Sequence, residues 1–369
     1  MIIQPRSNLK KLEPCVHGGL HTIRTTTVND NILDLSVSIN PLGYIVNMQK
    51  VLREIPLDVY PDQFSTEARL HLAKELSVKK ENIVVGNGSA ELIQAICLAY
   101  LETGDNVLSF SPTFREYERC SCLMNAKYKS VSLSETNLFR LDTKMFVKAI
   151  SRIKPKIVFL CNPNNPTGYY FKEEDFKQIL SVSKHSLVVL DEAYIHFVDQ
   201  KWNSVPYIRN GNVLILRSMT KDYALTALRI GYAVAYEQIC QELYKVLPPW
   251  NVNSYAQQMI VEVLTTLDKK NYFIKMRHRV SSVKKYLIAE LKKLNLCYIP
   301  STTNFLLIKL PNLSSKQDLF LKYNILVRDC RSYGMNQYIR IGIRTKSEMG
   351  IFLHALGSIL QNDKSYANR

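Results

Sequence analysis

Glycine is scarce in this chain: 13 in 369 residues, well below the usual ~7%. Repetitive, glycine-rich and low-complexity architectures are therefore excluded, and the few glycines mark places where the backbone is constrained. No run approaches the ~20 apolar residues of a membrane-spanning helix. The start, MIIQPRSNLKKLEP, lacks an apolar core, so no secretory leader is expected. The eight cysteines are scattered, and only Cys120 and Cys122 lie close together. That spacing makes neither a disulfide framework nor a zinc site, so no metal is expected and the thiols suit a reducing cytoplasm. Acidic residues are also short, 32 against 48 basic ones, giving a net charge of +16.

Such a charge raises nucleic acid first. The basic residues do not form a tail, however. They are densest over residues 268–293, where Tyr272, Met276, Val283, Tyr286 and Leu287 recur among lysines and arginines at helical spacing. A solvated helix face explains this, as does a positive field that draws in anionic metabolites. A DNA-binding regulator would need an added helix-turn-helix unit, and the arm before the fold holds no pair of helices. No nucleic-acid or membrane partner is expected.

Length predicts two domains. Residues 1–34 read as an N-terminal arm that packs with the small domain and the active site. Residues 35–250 form a large domain and residues 251–369 a smaller α+β domain. Short β-branched runs at 82–86, 106–110, 156–160, 186–190, 213–217 and 230–234 alternate with helical patterns at 90–101, 114–124, 144–153 and 173–183. Apolar strands alternating with helices predict an α/β fold whose parallel sheet is covered on both faces, with ligands at the carboxyl ends of the strands. After Pro248-Pro249 come long helices at 254–267 and 272–294, strands at 304–308 and 338–342, and a final helix at 347–360.

Four polar motifs follow or adjoin these strands. Gly86-Asn-Gly-Ser-Ala-Glu91 leads from a strand into a helix, where N–H groups and the positive dipole end suit a phosphate. It lacks the ending of a P-loop. Asn162-Pro-Asn-Asn-Pro-Thr-Gly168 is a rigid polar loop, in which Asn165 could bond a ring hydroxyl. Asp191, in Leu190-Asp-Glu-Ala-Tyr194, closes a buried strand. A carboxylate there either caps a helix or needs a cation, for which a protonated pyridine nitrogen would serve. Lys221, in Arg217-Ser-Met-Thr-Lys221, suits a Schiff base or an ordinary surface loop.

In order and spacing these motifs resemble the aminotransferase-like superfamily of pyridoxal 5'-phosphate enzymes, fold type I, over residues 34–360. The resemblance implies the aspartate aminotransferase-like fold, with a mostly parallel seven-stranded sheet flanked by helices. It implies that Lys221 binds the cofactor covalently and shuttles protons. Asp191 would hold the ring nitrogen, and Asn165 and Tyr194 the ring oxygen. Gly88, Ser89, Ser218, Thr220 and Arg229 would hold the phosphate, and Phe114 would stack on the ring unless it is an ordinary core aromatic. A homodimer is implied, with Tyr60 reaching the neighbouring site. One departure is Ala227, where the family usually has glycine.

Within the superfamily the chain resembles two families, the histidinol-phosphate aminotransferases and the L-threonine-O-3-phosphate decarboxylases. His17-Gly-Gly19, Ser36-Val-Ser-Ile-Asn-Pro-Leu-Gly43, Pro249-Trp-Asn-Val-Asn253 and the arginines of Val327-Arg-Asp-Cys330 and Ile339-Arg-Ile-Gly-Ile-Arg344 favour the decarboxylases. The expected reaction is then decarboxylation of O-phospho-L-threonine, or O-phospho-L-serine, for the nucleotide loop of cobamides. The alternative is amino transfer from histidinol phosphate. Arg340 would meet the substrate carboxylate. Arg328 and Arg344, with His17, Gly18, Asn40 and Asn165, would line the rest of the substrate site. A structural salt bridge is the other reading of each arginine.

Overall fold

The computed structural model describes residues 3–20, 32–44, 48–266, 268–310 and 315–362. The arm ends in a two-residue strand, β1 (Leu33–Asp34). The main sheet then accumulates β2 (Ile83–Asn87), β3 (Asn106–Ser111), β4 (Lys127–Ser132), β5 (Ile157–Cys161), β6 (Leu187–Asp191), β7 (Val213–Ser218) and β8 (Ile230–Ala235). Their order across the sheet is β2-β8-β7-β6-β5-β3-β4. Only β8 runs antiparallel, against both β2 and β7. β5, β6 and β7 are buried along their whole length, because helices cover both faces and leave no side for polar residues. β4 has no buried residue; it closes the sheet on one side, so its lysines and serines reach water.

Local chemistry sets the flanking helices. Ser89–Tyr100 starts at Gly88, whose φ of +80° a side chain would resist. It buries Leu92, Ile93, Ala95, Ile96 and Cys97 at helical spacing. Asp142 caps Thr143–Ile153 by accepting from the Met145 N–H at 3.0 Å. Three acids fill the first turn of Glu173–Val182, where they meet the positive end of the dipole.

A second sheet is antiparallel, in the order β12-β13-β10-β9, from β9 (Tyr298–Ile299), β10 (Phe305–Lys309), β12 (Arg328–Asp329) and β13 (Tyr338–Gly342). The remaining strand, β11 (Ile325–Leu326), pairs in parallel with β1. This pairing ties the end of the arm to the strand that leads into β12 of the second sheet. The helix Ser254–Thr266 lies against Thr66–Leu76, so the chain returns to the large layer before building the smaller one.

The 25-residue helix Lys269–Lys293 buries Tyr272, Phe273, Met276, Val280, Val283, Leu287 and Leu291. Lys270, Lys275, Arg279, Lys285, Lys292 and Lys293 face solvent. The densest basic stretch is thus one wet face of an amphipathic helix. Among the described residues no helix is long and apolar enough to cross a membrane, and no cluster has the makings of a metal site. All eight cysteines are unpaired.

Candidate active site

A cavity of about 370 Å³ opens at the carboxyl ends of β5, β6 and β7. It gathers His17, Gly18, Gly88, Ser89, Phe114, Asn165, Asp191, Tyr194, Ser218, Thr220, Lys221, Arg229, Arg328 and Arg340. These come from the arm, the large domain and the second sheet.

One end of the cavity is a cradle for an anion. Gly88 sits at the N-terminus of Ser89–Tyr100, and a Cβ placed on it would lie 2.8 Å from Arg229 Nη2. Behind it runs β8, where a Cβ on Gly231 would come within 2.3 Å of the Ser89 nitrogen. Both close approaches need glycine. The Ser218 and Thr220 hydroxyls lie 2.7 Å apart at the end of β7. Two residues of the loop before β8 are left-handed, Ala224 (φ +57°) and Arg229 (φ +55°). Ala227 is not, so the loop needs no glycine there.

The floor is set by Asp191. The Ala193 N–H donates to its Oδ1 at 3.0 Å, and the Tyr117 hydroxyl donates to its Oδ2 at 2.7 Å. Burial raises the Asp191 pKa, and these two hydrogen bonds oppose the rise. Tyr194 is buried, which pushes its phenol up to about 12. Phe114 presents an edge to Tyr117, with centroids 5.7 Å apart.

Lys221 lies between the cradle and the floor, in the short helix Met219–Asp222. Its carbonyl accepts from the Asn40 N–H at 2.9 Å. Burial first, then Arg340 and Arg229, lower its pKa to about 8. The neutral amine is the nucleophile. In apoenzyme the rate of covalent cofactor capture should therefore climb as pH rises toward about 8, then level off. Absorbance of the growing adduct checks this. A rate flat from pH 6 to 9 would contradict the lowered pKa.

Two arginines form the opposite wall. β12 and β13 place Arg328 directly across from Arg340, and both are buried. Arg340 donates from Nη1 to Asn165 Oδ1 and from Nη2 to the Ser36 carbonyl at 3.0 Å. Its Nε is buried without a partner. Arg328 Nη2 donates to the Val16 carbonyl at 2.6 Å and to Ser332 Oγ at 2.7 Å. His17 reaches the mouth from the arm, half exposed, with Nε2 3.1 Å from Glu116 Oε1. Burial would raise the Glu116 carboxyl, but hydrogen bonds from His17, Arg119 and Cys15 hold it down to about 2.

Three expected residues lie outside this cavity, one of them, Tyr60, expected at the neighbouring subunit's site. The Asn40 amide is spent on the Asp222 carbonyl and the Tyr272 hydroxyl, both at 2.7 Å, so it is a packing residue rather than a substrate ligand. Arg344 does not line the cavity. It lies two residues past the end of β13, and its Nε is buried and unpaired. Tyr60 is 75% exposed and stacks on Trp250 with centroids 4.5 Å apart. Sequence reasoning missed Tyr117, Tyr333 and Cys161. Tyr117 carried a weak signal, an aromatic one helical turn after Phe114. The other two carried none.

The family pattern for aminotransferase class I and II matches residues 31–356. The chain belongs to that family. Its similarity to the histidinol-phosphate aminotransferase of Caldanaerobacter subterraneus subsp. tengcongensis is 35% identity over 326 residues, 87% of this chain and 90% of the relative. Two solved structures have the same fold. The histidinol-phosphate aminotransferase from Sinorhizobium meliloti in complex with pyridoxal-5'-phosphate aligns with TM-score 0.83 at 20% identity, over 97% of this chain and 98% of that one. The L-threonine-O-3-phosphate decarboxylase from Porphyromonas gingivalis aligns with TM-score 0.77 at 23% identity, over 90% of this chain and 100% of that one. The fold is the aspartate aminotransferase-like one, and the cofactor of the family is pyridoxal phosphate.

The residues present fit that cofactor. The glycine cradle beside Arg229 leaves room that a Cβ would fill, and Asp191 is a buried carboxylate with no cationic partner among the described residues. Gly88, Ser89, Ser218, Thr220 and Arg229 would take the phosphate. Asp191 would face the ring nitrogen, Asn165 and Tyr194 the ring oxygen, and Lys221 the aldehyde carbon. Bound there, the cofactor supplies an electron sink for the bonds of an amino substrate's α-carbon.

Proposed function

We propose that the chain is an aminotransferase that exchanges an amino group between a phosphorylated amine of the histidinol phosphate type and a keto acid. The observation that carries this reading is the 35% identity to a histidinol-phosphate aminotransferase over 87% of the chain, and the pair Arg328 and Arg340 supplies a place for its anionic substrates. Like charges directly opposite on neighbouring strands destabilise a sheet. Here both are buried, and their hydrogen bonds go to carbonyl, amide and hydroxyl oxygens rather than carboxylates. An anionic substrate group between them relieves that repulsion, and arginine pairs with phosphate and carboxylate alike through two parallel N–H groups. An enzyme that binds a phosphate monoester in one half-reaction and a dicarboxylate in the other needs such a wall. Arg340 would take the keto acid's α-carboxylate, and Arg328 the phosphate or the distal carboxylate. His17 and Gly18 would close the mouth.

The expected decarboxylation is the weaker reading. The relative with 35% identity is an aminotransferase, whereas the likeness to the decarboxylase structure, at 23% identity, speaks for the fold alone. Two of the features that favoured a decarboxylase also lose their force. Arg344 is outside the cavity, and Asn40 is committed to packing.

In either half-reaction the protein's part is the same. Arg328 and Arg340 fix the substrate's anions, which orients its α-carbon. Lys221, once free, accepts the proton of the donor's α-carbon as a base and would return it at the cofactor's former aldehyde carbon, the reverse path serving the keto acid. Its pKa, lowered to about 8, leaves a large share of the amine neutral near pH 8, where an ordinary lysine is almost wholly charged. Tyr194 and Asn165 hold the ring oxygen in place. We also propose a homodimer in the reducing cytoplasm. Tyr60 and Trp250 are exposed together, and a neighbouring subunit's site would cover them.

The test is turnover of L-histidinol phosphate with 2-oxoglutarate, followed as glutamate formed. Arg340→Gln should raise KM for the keto acid at least ~30-fold, because removing one partner of a buried, hydrogen-bonded charge pair costs about 2–5 kcal/mol. No glutamate from the wild type would end this reading.

A further inference from the structure

Tyr117 touches two of the groups that surround the cofactor, and no step above uses it. Its side chain is completely buried in the helix Glu116–Leu123. Its hydroxyl donates to Asp191 Oδ2 at 2.7 Å. Its ring stacks on Phe159 at 4.7 Å, with planes 7° apart, and meets Phe114 edge-on at 5.7 Å. The Ser121 hydroxyl donates to its carbonyl at 2.6 Å. The phenol is thus held from below by the sheet and from the side by its own helix.

We infer that Tyr117 is a positioning residue for the cofactor: through its hydroxyl it fixes the Asp191 carboxylate for the ring nitrogen, and through its ring it sets Phe114 against the ring face.

The chemistry follows from the donor count. An ionised carboxylate only accepts. Asp191 takes one hydrogen bond on each oxygen from the protein, Ala193 N–H on Oδ1 and Tyr117 on Oδ2. Together these fix the carboxylate plane and favour the charged form that burial disfavours. Burial and the neighbouring carboxylate push the phenol's own pKa well above its ordinary value, so it remains a donor throughout the working pH range. Hydrogen bonds to charged groups are the strong ones, which gives one hydroxyl leverage over the pairing at the ring nitrogen. The ring contact is separable: Tyr117→Phe deletes the hydroxyl and leaves the stack between Phe159 and Phe114.

The inference rests on the cofactor and not on the substrate, so a different amino substrate leaves it intact. It is tested by the dissociation constant of pyridoxal phosphate, measured by equilibrium dialysis on wild type, Tyr117→Phe, Asp191→Asn and the double variant. Absorbance spectra across pH and thermal midpoints of the apoenzymes accompany it. The expected result is an apoenzyme midpoint for Tyr117→Phe close to wild type, cofactor affinity about tenfold weaker, and a displaced pH midpoint of the bound absorption band. In the Asp191→Asn background the same substitution should change affinity less than twofold, since the charged acceptor is gone. Tyr117→His, a smaller ring that retains a donor, serves if the phenylalanine variant fails to fold, with affinity expected between the two. Unchanged affinity and pH midpoint in Tyr117→Phe would overturn the inference. So would the same tenfold loss with and without the Asp191 carboxylate, because a merely structural tyrosine adds its cost independently.

Discussion

Lys221→Ala should cut turnover by ~10⁴-fold or more while leaving the fold intact, because it removes the covalent anchor and the proton carrier at once. The lysine is partly buried in a four-residue helix whose cap is Ser218 and whose carbonyl is held by Asn40. Those contacts are made by the backbone and by other side chains, so alanine preserves them. The variant should still bind pyridoxal phosphate through Arg229 and the Gly88 cradle. It should lack the absorption band of the lysine adduct, and sodium borohydride should fail to fix the cofactor to it. Added methylamine should restore a fraction of the rate. A variant that keeps a tenth of wild-type activity would remove Lys221 from the mechanism.

Asp191→Asn should lower kcat about 10²–10³-fold with little change in KM, the size expected when one preorganised charge at a reacting group is lost. Asparagine is close to isosteric: its one oxygen can still accept from Ala193 N–H, while its amide nitrogen takes the place of Oδ2 and would donate to the Tyr117 hydroxyl oxygen. The negative charge disappears, and with it the hold on a protonated ring nitrogen. Because the substrate's anions meet Arg328 and Arg340 on the opposite wall, binding is spared. Steady-state kinetics at saturating substrate check this. Equal loss in kcat and in substrate affinity would mean that Asp191 supports the wall as well.

Much of the large domain was legible because its strands carry near-continuous apolar runs. The expected strands 82–86, 106–110, 156–160, 186–190, 213–217 and 230–234 differ from β2, β3, β5, β6, β7 and β8 by a residue or so at their ends. β4 was not legible: Lys127–Ser132 holds only Tyr128 and Val131 as apolar residues, three apart and with no run, and only its place at the end of the sheet makes it a strand. The reversed direction of β8 was hidden for a similar reason. Burial on both faces gives an antiparallel strand the same apolar texture as its parallel neighbours.

The candidate cofactor residues were readable because they lie at or within a few residues of strand ends, Arg229 just ahead of the reversed β8, where backbone direction delivers the side chain to the cavity. Residues outside that rule were read less well. Asn40 and Arg344 looked like ligands by neighbourhood in the sequence, yet the fold turns Asn40 into the Tyr272 network and carries Arg344 past the end of β13. Tyr117 is buried core. Only its distance to Asp191 reveals its second duty. The pairing of Arg328 with Arg340 could not be seen until the register of β12 on β13 was known.

The most direct test mixes cofactor-loaded protein with L-histidinol phosphate alone, without keto acid, and counts amino groups moved per site. In a parallel tube O-phospho-L-threonine is supplied and carbon dioxide is measured. The account predicts one amino group transferred per site from histidinol phosphate, with loss of the lysine-adduct absorbance, and no sustained release of carbon dioxide. Repeated carbon dioxide release from O-phospho-L-threonine, with no transfer from histidinol phosphate, would contradict it and return the site to decarboxylation.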